Sequence, residues 1–399
     1  MKNTLLWSLV ASLSFSSLAQ EQPYVLLISF DGFRHDYVSQ FNTPNFDAFI
    51  KEGTSAESLR PSFPSKTFPN HYTLVTGLYP GNHGLVGNQF YDKATKAHYG
   101  TSNRNSVQDA YFYGGTPLWQ LTQENGYKSA SYFWVASEAP IKGRFPDYYY
   151  LYDGRVSNYE RVDQTIKWLN MPIAERPRFI SLYFSLVDSQ GHRTGPSSPE
   201  LEKTVEEADK ILGYLIENLK GVNLPVNVII TSDHGMKEVN TVDWIDSKPI
   251  IAQIPEDAVV VSDRILSQIY LAVPQIESTY TALKAIETHF KAYRKKDLPK
   301  GWNYNKNVRV GDILLVAESG YAFREKEETE KLTGEHGYDP YTTPEMGGIL
   351  YARGPNINKN EHLGTIQNTD VYPLVTKILG FKNPKIDGKF RRVKGFYRR

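Results

Sequence analysis

The chain has 399 residues, of which 40% are hydrophobic and 22% are charged, and its formal net charge is +1. A chain of this length can bury a large core, and one big α/β domain or two domains would both fit it. The near-zero net charge gives no indication of a polyanion-binding face. The sequence contains no cysteine, so disulfide bonds do not stabilise the protein in any compartment.

The N-terminus has the pattern of a secretory signal. A basic residue, Lys2, precedes an apolar run that starts at Leu5, and small residues end at Ala19. This pattern predicts a signal peptide over residues 1–19, whose apolar run is too short to span a membrane. No cysteine follows, which excludes a lipid-anchored lipoprotein. We therefore expect an exported protein, periplasmic or secreted, in which residues 20–399 form a single domain.

Strands alternate with helices along the rest of the chain. In chain order, the sequence predicts a buried strand at 24–30, a helix at 43–53 capped by Thr43, a strand at 128–134, a buried strand at 179–187, an amphipathic helix at 198–220, strands at 226–232 and 347–354, and a capped helix at 369–380. This alternation predicts an α/β fold with a mostly parallel central sheet flanked by helices on both faces. Residues 238–335 break the alternation, and could form a subdomain or a cap over a site.

Carboxylates and imidazoles follow three of the predicted strands, and one more histidine stands late in the chain. These residues are Asp31, Asp188, His192, Asp233, His234 and His336, which has glycines nearby at 334 and 337. Singly, each has an ordinary explanation, because Asp-Gly forms turns and a lone histidine is more often a packed or surface residue. Open α/β sheets, however, bind ligands at the carboxyl ends of their strands. Mixed carboxylate and imidazole ligands suit zinc, and this number of residues is enough for two ions.

Thr67 lies between Lys66 and Phe68-Pro69 and has two interpretations. It could cap a helix that begins at Pro69, since threonine suits a cap and proline suits the first turn. Alternatively, it could be a nucleophile at a helix N-terminus, where free N–H groups favour an anion. Two metal ions would clamp both oxygens of a phosphoryl transfer, and a metal-bound hydroxyl loses its proton readily. The predicted metal ligands therefore favour Thr67 as the nucleophile.

Six motifs occur in order over nearly the whole mature chain: FDGFR (30–34), KTFPNHYTLVTGLYPGNHG (66–84), GN (87–88), DSQGHRTGP (188–196), SDHGM (232–236) and GEHGYD (334–339). They resemble the nucleotide pyrophosphatase/phosphodiesterase family of the alkaline phosphatase superfamily. The resemblance implies an alkaline-phosphatase-like fold and two zinc ions. By the same resemblance, one ion is held by Asp31, Thr67, Asp233 and His234, and the other by Asp188, His192 and His336.

The resemblance also implies an activity. It is the zinc-dependent hydrolysis of nucleotide phosphodiester and pyrophosphate bonds to a nucleoside 5′-monophosphate, through a covalent intermediate on Thr67. Asn88 matches the family asparagine that hydrogen-bonds a phosphate oxygen, a role equivalent to an oxyanion hole. Phe68 and Tyr152 match the two aromatic residues that hold the nucleobase by stacking, which tolerates any base. Lys66 could meet a substrate phosphate as a point charge.

Two departures from the family pattern concern the substrate pocket. Val135-Ala136 stand where the family often has Pro-Gly, and SLVD replaces a more acidic run before Asp188. Ordinary packing is an alternative for the tyrosine cluster around Tyr152.

Other functions compete with nucleotide hydrolysis. One is a phosphodiesterase of the same family that releases choline phosphate from lysophospholipids or sphingomyelin, for which an aromatic cage would suit the quaternary ammonium. A phosphomonoesterase is disfavoured because the sequence has no obvious arginine in a matching role and no third set of metal ligands. A sulfatase requires a Cys/Ser-x-Pro-x-Arg motif, whereas Thr67 is followed by Phe-Pro-Asn. A non-catalytic binding module is disfavoured by the intact nucleophile and ligands. We expect a nucleotide or nucleotide-ester substrate and no stable nucleic-acid partner; the sequence does not indicate an oligomeric state.

Overall fold

The computed structural model describes residues 22–325 and 332–399, and the predicted signal peptide lies outside the described residues. The strands are β1 (Tyr24–Phe30), β2 (Thr54–Ala56), β3 (Leu59–Arg60), β4 (Gln89–Asp92), β5 (Ala97–Gly100), β6 (Lys128–Tyr132), β7 (Tyr148–Tyr150), β8 (Pro177–Phe184), β9 (Val226–Thr231), β10 (Lys237–Glu238), β11 (Ile245–Asp246), β12 (Val259–Ser262), β13 (Leu266–Tyr270), β14 (Phe290–Arg294), β15 (Ile313–Ala317), β16 (Phe323–Arg324), β17 (Gly334–Glu335), β18 (Leu350–Arg353), β19 (Glu361–Leu363) and β20 (Ile366–Gln367).

The α-helices are α1 (Tyr37–Gln40), α2 (Pro44–Lys51), α3 (Thr67–Thr76), α4 (Pro80–His83), α5 (Arg104–Val107), α6 (Leu118–Glu124), α7 (Asn158–Leu169), α8 (Leu186–Thr194), α9 (Pro199–Leu219), α10 (Ser247–Ile251), α11 (Ile276–Ala285), α12 (Val371–Leu379) and α13 (Phe390–Val393). Single 3₁₀ turns cover Ala110–Phe112, Ile141–Gly143, Val273–Gln275, Lys295–Asp297, Lys300–Trp302, Pro344–Met346, Asn368–Asp370 and Lys394–Phe396.

Eight strands form the central sheet, in the order β19-β2-β18-β9-β1-β8-β6-β7. Strand β1 lies in the middle and runs parallel to both neighbours, with Val25 opposite Phe179 of β8 and Ile28 opposite Ile230 of β9. Every residue of β1 is buried, as its continuous apolar run predicts for a strand covered on both faces. The predicted α/β fold with a mostly parallel sheet is confirmed.

Strand β18 departs from the parallel arrangement. The sequence predicts it as a further strand of the parallel type, but it pairs antiparallel with both β9 and β2. The chain reaches it from the loop that carries His336, at the edge where β1 and β9 end. A strand that enters a sheet from that edge has to run back against its parallel neighbours.

Helices cover both faces of the sheet and alternate residues of β1 contact them. Val25 and Leu27 belong to an apolar cluster with α3, α6 and α12. Leu26 and Ile28 belong to a second cluster with α2, α7 and α9. The central sheet therefore separates two cores, and its carboxyl edge remains free for a site.

Two local predictions need correction. The predicted cap of α2, Thr43, makes no side-chain cap hydrogen bond; instead Oδ1 of Asp209, from α9, accepts the N–H groups of Asn45 and Phe46. The strand predicted at 179–187 ends at Phe184, and α8 begins at Leu186. The first error has a tertiary cause, because a contact with a distant helix replaced the local cap.

The region 238–335 contains a separate antiparallel sheet with the order β12-β13-β15-β14. Helix α11 packs against this sheet, and the two share an apolar cluster of their own. A cap role for the region stays a prediction. Among the described residues, none of the helices combines the length and apolar character that crossing a membrane requires.

Candidate active site

Three aspartates meet around one glycine at the carboxyl edge of the sheet. The N–H of Asp31 donates to the carbonyl of Phe184 at 2.9 Å, and the N–H of Asp188 donates to the carbonyl of Asp31 at 3.0 Å. Gly32 has a φ of +69°, and a Cβ atom there would lie 2.7 Å from Cα of Asp188. Only glycine allows this approach. The N–H of Gly32 also donates to Oδ1 of Asp233 at 3.3 Å, so the backbone itself brings the aspartates together.

Three histidines present the same ring nitrogen to these aspartates. In His192, His234 and His336, Nδ1 lies 2.8–2.9 Å from a backbone carbonyl, contributed by Gly334, Gly235 and Ser65 respectively. Because a carbonyl only accepts, Nδ1 carries the proton in the neutral ring, and Nε2 is the nitrogen whose lone pair can bind a metal. Proteins orient metal-binding histidines through such contacts.

The first group of possible ligand atoms comes from Asp31, Asp233 and His234, all of which are buried. Nε2 of His234 lies 3.0 Å from Oδ2 of Asp233 and 3.5 Å from Oδ1 of Asp31. These are three of the four residues predicted for one zinc ion. Thr67, the fourth, places Oγ1 3.2 Å from Nε2 of His234.

The second group comes from Asp188, His234 and His336. Nε2 of His336 lies 3.7 Å from Oδ1 of Asp188, and the imidazole rings of His234 and His336 stack with centroids 3.6 Å apart. His192 is outside this tight group, but its Nε2 lies 3.4 Å from the same Oδ1 of Asp188. Burial lowers the pKa of His192, but Asp188, Glu335 and the carbonyl of Gly334 together raise it to about 9.

The carboxylates are electrostatically unbalanced without a cation. Oδ1 of Asp31, Oδ1 of Asp188 and Oδ2 of Asp233 are buried and accept no hydrogen bond from the part of the chain that the structure describes. Burial, together with Asp233 and Asp188, raises the pKa of Asp31 well above its usual value. Buried charges without partners are costly, and a divalent cation would compensate them. The donor set therefore fits divalent metal ions, and its mixture of carboxylate and imidazole suits zinc.

Thr67 is the first residue of α3, not its cap. The position before the helix is Lys66, and no side chain caps this helix end. The interpretation of Thr67 as a cap for a helix that begins at Pro69 is therefore wrong. Its hydroxyl is half-buried and points to the metal-ligand cluster, while the N-terminal N–H groups of a helix favour an anion at this place.

Asn88 lies beside the same helix end. Its Oδ1 accepts the N–H of Phe68 at 2.9 Å, so the amide orientation is set and Nδ2 keeps its two donors. The residue itself is half-buried. This arrangement is compatible with donation to an anionic oxygen next to Thr67.

Phe68 and Tyr152 line one cavity of about 210 Å³. Its other lining residues are Thr101, Arg104, Val107, Phe133, Trp134, Val135, Ala136, Glu138 and Tyr183. Ala136 adopts a φ of 71°, a conformation that glycine adopts more easily, which agrees with the glycine often found there in the family that the motifs resemble. The structure thus brings the two predicted stacking residues together.

Known proteins match both the sequence and this geometry. The family model for type I phosphodiesterase / nucleotide pyrophosphatase matches residues 25–339. The bis(5′-adenosyl)-triphosphatase enpp4 of Xenopus laevis is 36% identical over 93% of this chain and 81% of its own length. The chain belongs to the type I phosphodiesterase / nucleotide pyrophosphatase family. It is therefore a hydrolase, and the metal dependence of this family agrees with the Asp/His groups at the site.

Solved structures of the family have the same fold. Human ectonucleotide pyrophosphatase/phosphodiesterase 5 superposes with a TM-score of 0.88 at 33% identity, covering 94% of this chain and 99% of that one. An inactive threonine-to-alanine variant of the murine protein, in complex with AMP, superposes with a TM-score of 0.89 at 32% identity, covering 94% and 100% of the two chains.

Two further residues of this family member contact the site and were missed from the sequence. Nδ1 of His71 lies 3.2 Å from Oδ2 of Asp233, and the hydroxyl of Tyr183 donates to Oδ2 of Asp31 at 2.6 Å. His71 follows Thr67 by four residues on α3, so the helical period could have placed both on one face. Tyr183 lies inside a buried strand, and nothing in its local sequence distinguishes it from a core residue.

Lys66 lies close to the site but has other contacts. Its side chain is buried, with Nζ 3.5 Å from Oδ1 of Asp263 and 3.9 Å from Oε2 of Glu335. It also packs on Gly337, where a Cβ atom would lie 2.3 Å from its Cε. A contact between Lys66 and a substrate phosphate stays a prediction.

Proposed function

We propose that this protein is an exported, zinc-dependent phosphodiesterase that releases nucleoside 5′-monophosphates from nucleotide phosphodiesters and pyrophosphates through a covalent intermediate on Thr67. The observation that supports it best is the position of the Thr67 hydroxyl. It lies at a helix N-terminus, 3.2 Å from Nε2 of His234, which belongs to the cluster of buried carboxylates and imidazoles, and the next residue, Phe68, lines the aromatic cavity. The murine relative that is inactive as a threonine-to-alanine variant supports the same assignment.

In the proposed reaction, Oγ1 of Thr67 attacks the phosphorus of a phosphodiester. The new O–P bond replaces the bond to the leaving oxygen, which departs as an alcohol or a phosphate, and the nucleotidyl group stays on Thr67. A water molecule then attacks the same phosphorus, releases the nucleoside 5′-monophosphate and restores the hydroxyl. Nδ2 of Asn88 donates to the charged phosphoryl oxygen in both steps, where such a donor is most effective.

Two zinc ions, when bound, would act as Lewis acids in both steps and would lower the pKa of the attacking hydroxyl. The residues proposed to hold one ion are Asp31, Thr67, Asp233 and His234, and those proposed for the other are Asp188, His192 and His336. The protein contributes the orientation of these ligands, because Nδ1 of each histidine is fixed by a carbonyl.

The charge of the aromatic cavity favours a nucleotide over a choline headgroup. The carboxylate of Glu138 would suit a quaternary ammonium, but it already forms an ion pair with Arg104. Because Arg104 lines the cavity and its side chain is 45% exposed, it would repel a second cation. A nucleobase is neutral and stacks on aromatic rings whatever its identity, and we propose that Phe68 and Tyr152 hold it.

The test compares the p-nitrophenyl esters of thymidine monophosphate, phosphorylcholine and plain phosphate on one preparation, before and after chelation and with zinc restored. The thymidine ester should be cleaved fastest, and chelation should abolish the activity until zinc is added. Thr67→Ala should lose nearly all turnover while it keeps bound zinc, and Thr67→Ser, which keeps a hydroxyl, should retain part of it. Faster cleavage of the phosphorylcholine ester, or appreciable turnover by Thr67→Ala, would contradict the proposal.

A further inference from the structure

The cavity that we assign to the nucleobase has one charged pair in an otherwise neutral lining. Arg104 and Glu138 are the charged residues among the described side chains that line it, and the two form an ion pair. Stacking by Phe68 and Tyr152 explains the aromatic walls. It does not explain why a cation lines the same cavity.

Glu138 is occupied by protein groups. It is 6% exposed, and its Oε1 accepts the backbone N–H of Tyr152 at 2.6 Å. Its Oε2 forms the ion pair with Arg104 and also accepts a hydrogen bond from Nε2 of Gln108 at 3.4 Å. Glu138 therefore positions Tyr152 and Arg104, and has little capacity to accept a hydrogen bond from a ligand.

Arg104 has donors left over. A guanidinium carries five N–H groups in a rigid fork, and an ion pair with one carboxylate uses two at most. Within the described residues, Glu138 is the only side-chain acceptor in contact with Arg104. The arginine is the first residue of α5, whose N-terminus is capped by the side chain of Asn103 through the N–H groups of Asn105 and Ser106. The backbone of Arg104 is thus held while its side chain stays half-exposed toward the cavity.

We propose that Arg104 reads the edge of the stacked base and makes the enzyme prefer guanine to adenine. This inference rests on the proposed function. Guanine presents two neighbouring acceptors, O6 and N7, which match the fork of a guanidinium, whereas adenine presents N7 next to an amino group that is itself a donor. Stacking alone would let the bases differ only modestly. Arg104 adds discrimination between them, because a donor placed against the adenine amino group leaves both unpaired.

The experiment measures kcat/KM for the p-nitrophenyl esters of guanosine and adenosine 5′-monophosphate, on the wild type and on Arg104→Met, which keeps the volume but has no donor. A good bidentate contact discriminates by about 5- to 150-fold, and the half-exposed side chain places the expected preference near the lower end, about 5- to 10-fold for guanosine. In Arg104→Met the ratio of the two esters should fall to about 1. Arg104→Lys, which keeps the charge without the fork, should also lose most of the preference.

Arg155→Met is the matched control. Arg155 is 92% exposed and forms an ion pair with Asp153, next to Tyr152 but outside the cavity, so this variant should keep the wild-type ratio. Equal wild-type rates for the two esters would overturn the proposal. So would an Arg104→Met variant that slows both esters equally, because Arg104 would then only support Glu138 and Tyr152. Cleavage of the phosphorylcholine ester with no cleavage of either nucleotide ester would overturn the proposed function as well, and so separates the two failures.

Discussion

The hydroxyl of Tyr183 provides a direct test of the metal site, through the change Tyr183→Phe. The hydroxyl donates to Oδ2 of Asp31 at 2.6 Å, while Oδ1 of the same carboxylate is buried and accepts no hydrogen bond from the described residues. Burial, followed by the charge of Asp31, raises the pKa of Tyr183 well above its usual value, so the phenol stays protonated and donates. If Oδ1 binds zinc, Tyr183 sets the orientation of that ligand.

The size of the effect follows from the hydrogen bond. Phenylalanine keeps the ring that contacts His71 and Tyr152, so packing changes little and only the hydroxyl is lost. A hydrogen bond to a charged group contributes about 1.5–3 kcal/mol, which corresponds to roughly 10- to 150-fold in an equilibrium constant. This range agrees with the loss of metal affinity, about 10- to 100-fold, when a group that orients a ligand is removed.

The assay is competition for zinc with a chelator of known affinity, followed by kcat/KM at saturating zinc. Tyr183→Phe should weaken zinc binding roughly 10- to 150-fold. The control is Tyr37→Phe: Tyr37 is also buried, but its hydroxyl has no hydrogen-bond partner among the described residues, so its removal should leave zinc affinity unchanged. Equal zinc affinities for wild type and Tyr183→Phe would refute the assignment of Asp31 as a ligand oriented by this tyrosine.

Three other variants test separate parts of the structure. Asn88→Ala should lower kcat/KM by an amount equivalent to roughly 2–4 kcal/mol, as for other oxyanion donors; an unchanged kcat/KM would make Asn88 a structural residue that only holds the N–H of Phe68. Tyr152→Ala should raise the KM for nucleotide esters and leave methyl p-nitrophenyl phosphate almost unaffected; equal losses on both substrates would assign the tyrosine to packing. Burial lowers the pKa of His83 to about 3, so between pH 6.5 and 3 the unfolded chain binds a proton that the folded chain does not. This residue should therefore cost the wild type about 2 kcal/mol between pH 6.5 and 4.5. The free energy of unfolding, measured with urea at each pH, should therefore fall less steeply with decreasing pH in His83→Asn than in the wild type. Parallel pH profiles of the two proteins would contradict this prediction.

Most residues of the proposed metal site could be brought together from the sequence because their signals are local. Asp31 and Asp233 directly follow buried apolar runs, and such runs predict strands of a parallel sheet whose carboxyl ends meet. Asp188 was predicted at the end of a strand but lies in the first turn of α8. It still lies next to Asp31, as predicted, because α8 begins at the same edge of the sheet. The predicted strand ends were enough to bring these aspartates to one edge, whereas His336 follows no predicted strand and was added from a late loop.

The tertiary structure decided what depends on contacts between distant residues. It shows that Asp209 caps α2, that β18 runs antiparallel, and that Tyr183 reaches Asp31 across 152 positions. It also pairs Arg104 with Glu138 inside the aromatic cavity. Composition and periodicity report which face of an element is apolar, and therefore which residues reach an edge or a core. They do not report which two buried polar groups meet, because that depends on how separate elements pack. In this protein such contacts orient the Asp31 carboxylate and place a charged pair in the aromatic cavity.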